Sequence, residues 1–93
     1  MQIFHDEHLS IDWSAVRFDN VKLTLTRKEF ELLHLLASKP GKVWSRDSIM
    51  DRVWGTEVIV GGRTIDVHIR KIREKIGQDC IKTIKGVGYK FEE

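Results

Sequence analysis

Residues 63–77 read RTIDVHIRKIREKIG, and the isoleucines in this stretch decide the fold. With Ile65 set at zero and each residue advanced about 100°, Ile65, Ile69, Ile72 and Ile76 fall within about 60° of arc. That seam predicts an amphipathic helix from about Thr64 to Ile76, stopped by Gly77, with its isoleucines against a core. Arg63, Val67, Arg70, Lys71 and Glu74 lie on the far side, His68 and Lys75 flank one edge, and Asp66 and Arg73 flank the other. Charges on an outer face are ordinary for a helix in water. Val67 is not, because a β-branched apolar residue gains nothing there and slightly lowers helix propensity.

Toward the C-terminus, Ile81 to Ile84 and Tyr89 to Phe91 read as two strands joined by Lys85-Gly86-Val87-Gly88, a hairpin with Gly where positive φ is needed. Toward the N-terminus, Thr56 to Gly62 is a loop containing Val58-Ile59-Val60. Before it, Ser45 is a good N-cap with Asp47 in the first turn, opening a helix with Ile49, Met50 and Val53 inward and Gly55 as its stop. A short extended piece at Val43-Trp44 leads into it. Thr26 and Glu29 have the spacing of a capping box, so another helix begins there. Phe30, Leu32, Leu33, Leu35, Leu36 and Ala37 cover most of its circumference, which predicts a central buried helix ended by Lys39-Pro40-Gly41.

From Ile3 to Leu25 the apolar residues alternate: Leu9, Ile11 and Trp13, then Val16 and Phe18, then Val21, Leu23 and Leu25. This is the period of half-buried strands, with turns at Asp6-Glu7, Ser14 and Asp19-Asn20, and it predicts about four short antiparallel strands. The order is sheet, helices, hairpin. It describes a single α+β domain of winged helix-turn-helix type, with an N-terminal antiparallel β-sheet (1–25), a core of three helices (26–77) and a C-terminal β-hairpin wing (78–93).

Ninety-three residues suffice for one core, and 41% hydrophobic residues with 9% aromatic is a globular composition. No apolar run approaches the roughly 18 residues of a membrane helix, and no signal-peptide pattern opens the chain. The expectation is a cytoplasmic protein with no membrane partner. Cys80, the single cysteine, has no partner for a disulfide or zinc site and reads as a half-buried strand residue. Net charge is only +2, but between Arg63 and Lys90 eight basic side chains face three acidic ones. A basic stripe of this kind is the footprint of a phosphate-contacting surface, the bland alternative being a solvated face.

Val67 moves the reading toward double-stranded DNA, since an apolar side chain can pack on a thymine methyl in the major groove. Arg70 and Lys71, one turn beyond, suit guanine edges or phosphate, and the helix N-terminus suits a phosphate. At the hairpin tip Lys85 sits beside two glycines and can enter a minor groove, with the hydroxyls of Thr83 and Tyr89 near phosphates. Catalysis is not expected. His5-Asp6-Glu7-His8 lacks metal-motif spacing and falls in a turn, Gly86-Val87-Gly88 lacks a dinucleotide loop's third glycine, and no nucleophile stands beside a base. No cofactor or metal is implied. The alternative reading is a winged helix serving only as a protein–protein interaction module, which has no reason to combine Val67 with Arg70, Lys71 and Lys85.

Three segments, LTRKEFELLHLLASKPGKVWSRDSIMDRVWG (25–55), GGRTIDVHIRKIREKIG (61–77) and IKTIKGVGYKF (81–91), together resemble the DNA-binding effector domain of bacterial OmpR/PhoB-family two-component response regulators. The resemblance implies that Val67, Arg70, Lys71 and Arg73 face bases and phosphates, and that Arg63, Thr64 and His68 mainly meet phosphates. It implies a minor-groove role for Lys85, where the family often has Arg, and backbone contacts for Thr83 and Tyr89. Trp54 matches a Trp whose indole N–H reaches a phosphate, with a core role as its alternative. The loop 55–62, with Thr56, Glu57, Val58, Ile59 and Val60, matches a region that touches RNA polymerase. Gly61-Gly62 departs from the acidic residue many relatives carry before the Arg-Thr pair, which loosens the loop. The implied partners are duplex DNA, RNA polymerase, the regulator's own receiver domain and a cognate sensor kinase, with head-to-tail dimers on direct repeats about one helical turn apart. The receiver's acidic cluster is absent from these residues, which suggests an excised domain or a receiverless relative; Met1 directly before the first strand favours excision.

Overall fold

The computed structural model of the chain describes residues 2–12, 15–55 and 63–92. Trp13, the turn at Ser14 and the loop Thr56 to Gly62, with the residues expected to face RNA polymerase, lie outside the described residues. The N-terminal strands β1 (Gln2–His5), β2 (Leu9–Asp12), β3 (Val16–Phe18) and β4 (Val21–Lys22) form one antiparallel sheet in chain order. Asp6 Oδ1 accepts the His8 and Leu9 N–H groups at 2.9 and 2.7 Å and closes the first turn. Asp19 and Asn20 both take positive φ, 52° and 67°, the primed geometry that matches strand twist in a two-residue hairpin. The expected alternation buries Leu9, Ile11 and Val16. It fails at Val21, which is exposed because β4 pairs through only two residues before the chain leaves the sheet.

Helix α1 (Arg27–Ser38) begins at the capping box. Glu29 N–H donates to Thr26 Oγ1 at 3.2 Å, and Thr26 N–H donates to Glu29 Oε1 at 2.9 Å. Glu29 is 2% exposed. A carboxylate so buried needs compensation, and Lys75 Nζ supplies it at 2.9 Å while also donating to the Thr24 carbonyl at 2.8 Å. Burial pushes Glu29 toward the neutral acid, but the Lys75 bond and the Thr26 N–H outweigh it and hold the carboxyl below its ordinary value. Leu32, Leu33, Leu36 and Ala37 are fully buried, as befits the central helix.

The second helix differs from a single α-helix. It is α-helical as α2 (Arg46–Ile49), capped by Ser45, and continues as a π-helical turn over Met50–Trp54. Gly55, at φ 81°, returns its N–H to the Met50 carbonyl at 3.0 Å, and Lys28 Nζ donates to the Val53 carbonyl at 2.7 Å. Ile49 and Val53 still face the core. Helix α3 (Arg63–Ile76) follows, and Ile65, Ile69, Ile72 and Ile76 are at most 1% exposed. At about 1.5–3 kcal/mol for each fully buried large aliphatic side chain, this seam is the main hold on α3.

The hairpin strands β6 (Ile81–Ile84) and β7 (Gly88–Phe91) do not stand alone. The extended piece becomes strand β5 (Val43–Ser45) on the outer edge of β7, giving a three-stranded sheet in the order β5-β7-β6. Gly86 has the positive φ expected of it, 77°, but Gly88 serves closeness instead: a Cβ there would stand 1.9 Å from the Trp44 carbonyl oxygen. Phe4 meets Phe91 edge-on at 4.7 Å, joining the two sheets through one continuous core. Cys80 is half-buried in the bend just before β6 rather than in the strand, and burial followed by the carboxylates of Asp6 and Asp79 pushes its thiol up. No helix of the described residues is long and apolar enough to cross a membrane.

Because backbone, not a flexible side chain, blocks a Cβ at position 88, Gly88→Ala is expected to cost at least the upper end of the ~1–3 kcal/mol typical of overpacking. Gly86→Ala, strained by φ alone, should cost about 1–2 kcal/mol. Urea unfolding of both variants checks the order; equal losses would show that β5 gives way easily.

Candidate nucleic-acid interface

Helix α3 presents four sides, and each meets something different. The isoleucine seam is inside. On one flank, His68 packs edge-on against Trp54 with ring centroids 5.1 Å apart, and Lys75 holds Glu29. His68 Nδ1 lies 2.8 Å from the Thr64 carbonyl, so that nitrogen carries the proton and donates within the helix. Lys28 Nζ stands 5.9 Å from the Trp54 ring on its way to Val53. Trp54 and His68, expected at phosphates, are thus half-buried against each other.

On the opposite flank, Asp66 and Arg73 face the second sheet. Arg73 donates through Nε and Nη2 to the Ile81 carbonyl at 3.2 and 2.7 Å, and through Nη2 to Thr83 Oγ1 at 2.9 Å. Asp66 Oδ1 accepts the Tyr89 hydroxyl and the Arg46 Nε–H, the latter at 3.1 Å, with Arg46 Nη2 in an ion pair with the same oxygen at 3.1 Å. Two cations stand over the Tyr89 ring, Arg46 5.8 Å and Arg73 5.7 Å from its centroid, inside the reach of cation–π attraction. Burial, then the Asp66 carboxylate, push the Tyr89 phenol up, which keeps it a neutral donor.

These bonds engage three of the residues expected at DNA. The Tyr89 hydroxyl is given to Asp66 and its ring is 4% exposed; the Arg73 guanidinium braces β6; the Thr83 hydroxyl, though exposed, is already accepting from Arg73. For Tyr89 and Arg73, a buried or half-buried polar group satisfied by protein leaves less for a phosphate, whereas the exposed Thr83 hydroxyl, accepting from Arg73, keeps its own O–H to donate. Arg46 and Asp66 were not singled out from sequence at all. The signal was the seven-residue spacing of Asp66 and Arg73, which puts both on one flank.

The outer side remains. Arg63, Arg70 and Lys71 are exposed, with Thr64 and Val67 half-buried among them. Arg70 Nε approaches Glu74 Oε1 only to 4.0 Å, with side chains 71% and 64% exposed, a pair weak enough for Arg70 to be redirected. Among the described residues neither Lys71 nor Lys85 holds an ion pair. Arg63, Thr64, Val67 and His68 line an open hollow of about 400 Å³ at the start of α3. Lys85 and Val87, 49% exposed, stand at the hairpin tip between Ile84 and Gly88.

Residues 20–91 match the family described as "Transcriptional regulatory protein, C terminal". The transcriptional regulatory protein ResD of Bacillus subtilis is 43% identical over 93 aligned positions, covering 91% of this chain and 39% of ResD. Response regulator DrrB, a Thermotoga maritima OmpR/PhoB homologue, superposes with a TM-score of 0.89 at 35% identity, over 97% of this chain and 44% of its own. The Klebsiella pneumoniae RstA DNA-binding domain, in a crystal structure with the RstA box, superposes at 0.82 with 28% identity, over 96% of this chain and 95% of its own. The chain therefore spans about two fifths of the length of full-length relatives such as ResD and DrrB.

With Arg73 as a brace, Arg73→Ala should destabilise the fold by about 1.5–3 kcal/mol, as for a hydrogen bond to a charged group. Amide exchange should accelerate first in β6 and β7, with α3 amides still protected. Native exchange rates in the hairpin would show that β6 does not depend on Arg73.

Proposed function

The chain belongs to the family of transcriptional regulatory protein C-terminal domains, and from that membership we propose that it binds specific double-stranded DNA sequences as the output domain of a two-component response regulator. The observation that carries the reading is the outer side of α3, where apolar Val67 lies in a hollow bordered by Arg63, Thr64 and His68, with Arg70 and Lys71 exposed one turn on. A thymine methyl fits such a floor, and the cations beside it fit guanine edges and phosphates. In this reading α3 enters the major groove and Lys85 the adjacent minor groove. Thr83, Trp54, His68, Arg73 and Tyr89 then act chiefly by holding these groups in place.

The remaining partners follow from membership alone. Thr56 to Val60 are proposed to touch RNA polymerase, a receiver domain and sensor kinase to govern the full-length protein in the cytoplasm, and head-to-tail pairs to form on direct repeats. No catalysis is assigned to the domain.

Four cations, Arg63, Arg70, Lys71 and Lys85, are the candidates for phosphate. At about 0.9 per contact, log K should fall against log salt with a slope of about −3.6 per bound copy if all four engage phosphate. Lys71→Ala or Arg70→Ala should cost about 1–3 kcal/mol and relax preference at particular base pairs, whereas Lys85→Ala should shrink the slope by roughly one. Titrations of duplexes selected from a random pool, at several salt concentrations, measure both. A flat salt response would refute the phosphate contacts and favour the protein-interaction alternative, and a uniform loss over all sequences would remove Lys71 and Arg70 from base reading.

A further inference from the structure

One carboxylate oxygen gathers three elements of the fold. Asp66 stands on the first turn of α3, Tyr89 on wing strand β7, and Arg46 is the first residue of α2; Oδ1 of Asp66 accepts from both of the others. Seven residues further along the same flank, Arg73 repeats the attachment through Ile81 and Thr83 of β6. Thr83 is the register partner of Tyr89, so both attachments grip the same rung of the hairpin. The Arg46 and Arg73 guanidinium groups both stand over the Tyr89 ring, 5.8 and 5.7 Å from its centroid.

We propose that Asp66 is a positioning residue: by holding Tyr89 and Arg46 it fixes the wing relative to α3, so that Lys85 and the outer side of α3 reach adjacent grooves without reordering on contact. The inference rests on the DNA-binding reading above. Its physical basis is effective concentration, because two contact sites held at a fixed distance bind as one, whereas a loosened second site contributes less although each contact survives. Packing alone would not require a carboxylate here. The wing already has Phe91 and Tyr89 in the core, and the Asp66–Arg46 pair is partly exposed, with side chains 40% and 41% exposed, where an ion pair adds little to stability. What the pair does add is direction, since the Arg46 Nε–H and the Tyr89 phenol O–H converge on a single atom.

The test is a double-mutant cycle on binding, using the full chain and a duplex selected from a random pool, at temperatures where urea titration shows each variant folded. Tyr89→Phe removes one hydroxyl and leaves the ring; Asp66→Ala removes the acceptor, and serves as an independent second variant. Each is combined with Lys85→Ala. The penalty of Lys85→Ala, about tenfold in affinity in the native chain, should shrink to about threefold or less in both backgrounds. An undiminished penalty in either background would overturn the proposal and leave Asp66 a stabilising residue only. Salt-independent binding by the native chain would instead defeat the DNA-binding reading, and the proposal with it.

Discussion

A glutamate taken out of water sets the terms for this fold. Glu29 is 2% exposed, and a carboxylate in that position persists only when its oxygens are matched by donors. Thr26 N–H and Lys75 Nζ both donate to its Oε1, and Lys75 also caps the Thr24 carbonyl in the segment leading into α1. The start of α1, the connection from the N-terminal sheet and the last turn of α3 are therefore fixed to one another through a single side chain. Isoleucine burial supplies most of the attraction between α1 and α3, but it is non-directional. The ion pair makes one relative placement of the two helices better than its neighbours.

From that placement the four sides of α3 follow. A helix pinned by its seam and by Lys75 has no rotation left, so its remaining sides are assigned: His68 to Trp54 at the end of the π turn, Asp66 and Arg73 to the hairpin, and Arg63, Val67, Arg70 and Lys71 to the outside. The basic excess in the last third of the chain is consequently not all available to a ligand. Lys75 and Arg73 are engaged within the protein, and Lys90 approaches Glu92 at 3.5 Å. Local charge density overstates the positive surface. Only the direction in which each cation points tells which ones face outward.

Periodicity made most of the fold legible. The isoleucine seam, the capping box, the Ser45 cap and the alternation of Leu9, Ile11 and Val16 each report a local rule that tertiary structure obeyed. What stayed hidden depends on pairing across distance. The addition of β5 to the hairpin rests on Gly88 admitting the Trp44 carbonyl, and nothing near Val43 announces it. The π turn rests on where Gly55 and Lys28 send their hydrogen bonds. In the candidate site the outer residues were legible from the helical wheel. A wheel shows which side a polar residue of the helix takes but not whether protein already waits there, as it does for Arg73 at β6 and for His68 at Trp54 and the Thr64 carbonyl; on the hairpin the hydroxyls of Tyr89 and Thr83 likewise meet Asp66 and Arg73.

The same geometry separates two physical tasks on one short helix. Cations that brace the fold are partly buried and doubly bonded, so moving them to a phosphate would strand protein acceptors. Cations on the outer side are solvated, and exchanging water for phosphate costs them little. Charge of the second kind attracts any duplex equally, since every base pair carries the same backbone. On the proposed reading, discrimination comes from groups that meet base edges, and the least charge-like candidate on this helix is Val67, which lines the hollow with Arg63, Thr64 and His68, the last packed on Trp54. On that reading the bracing residues have a part in selectivity without touching a base: a methyl-sized difference between bases can be felt only if the surface that meets it does not yield.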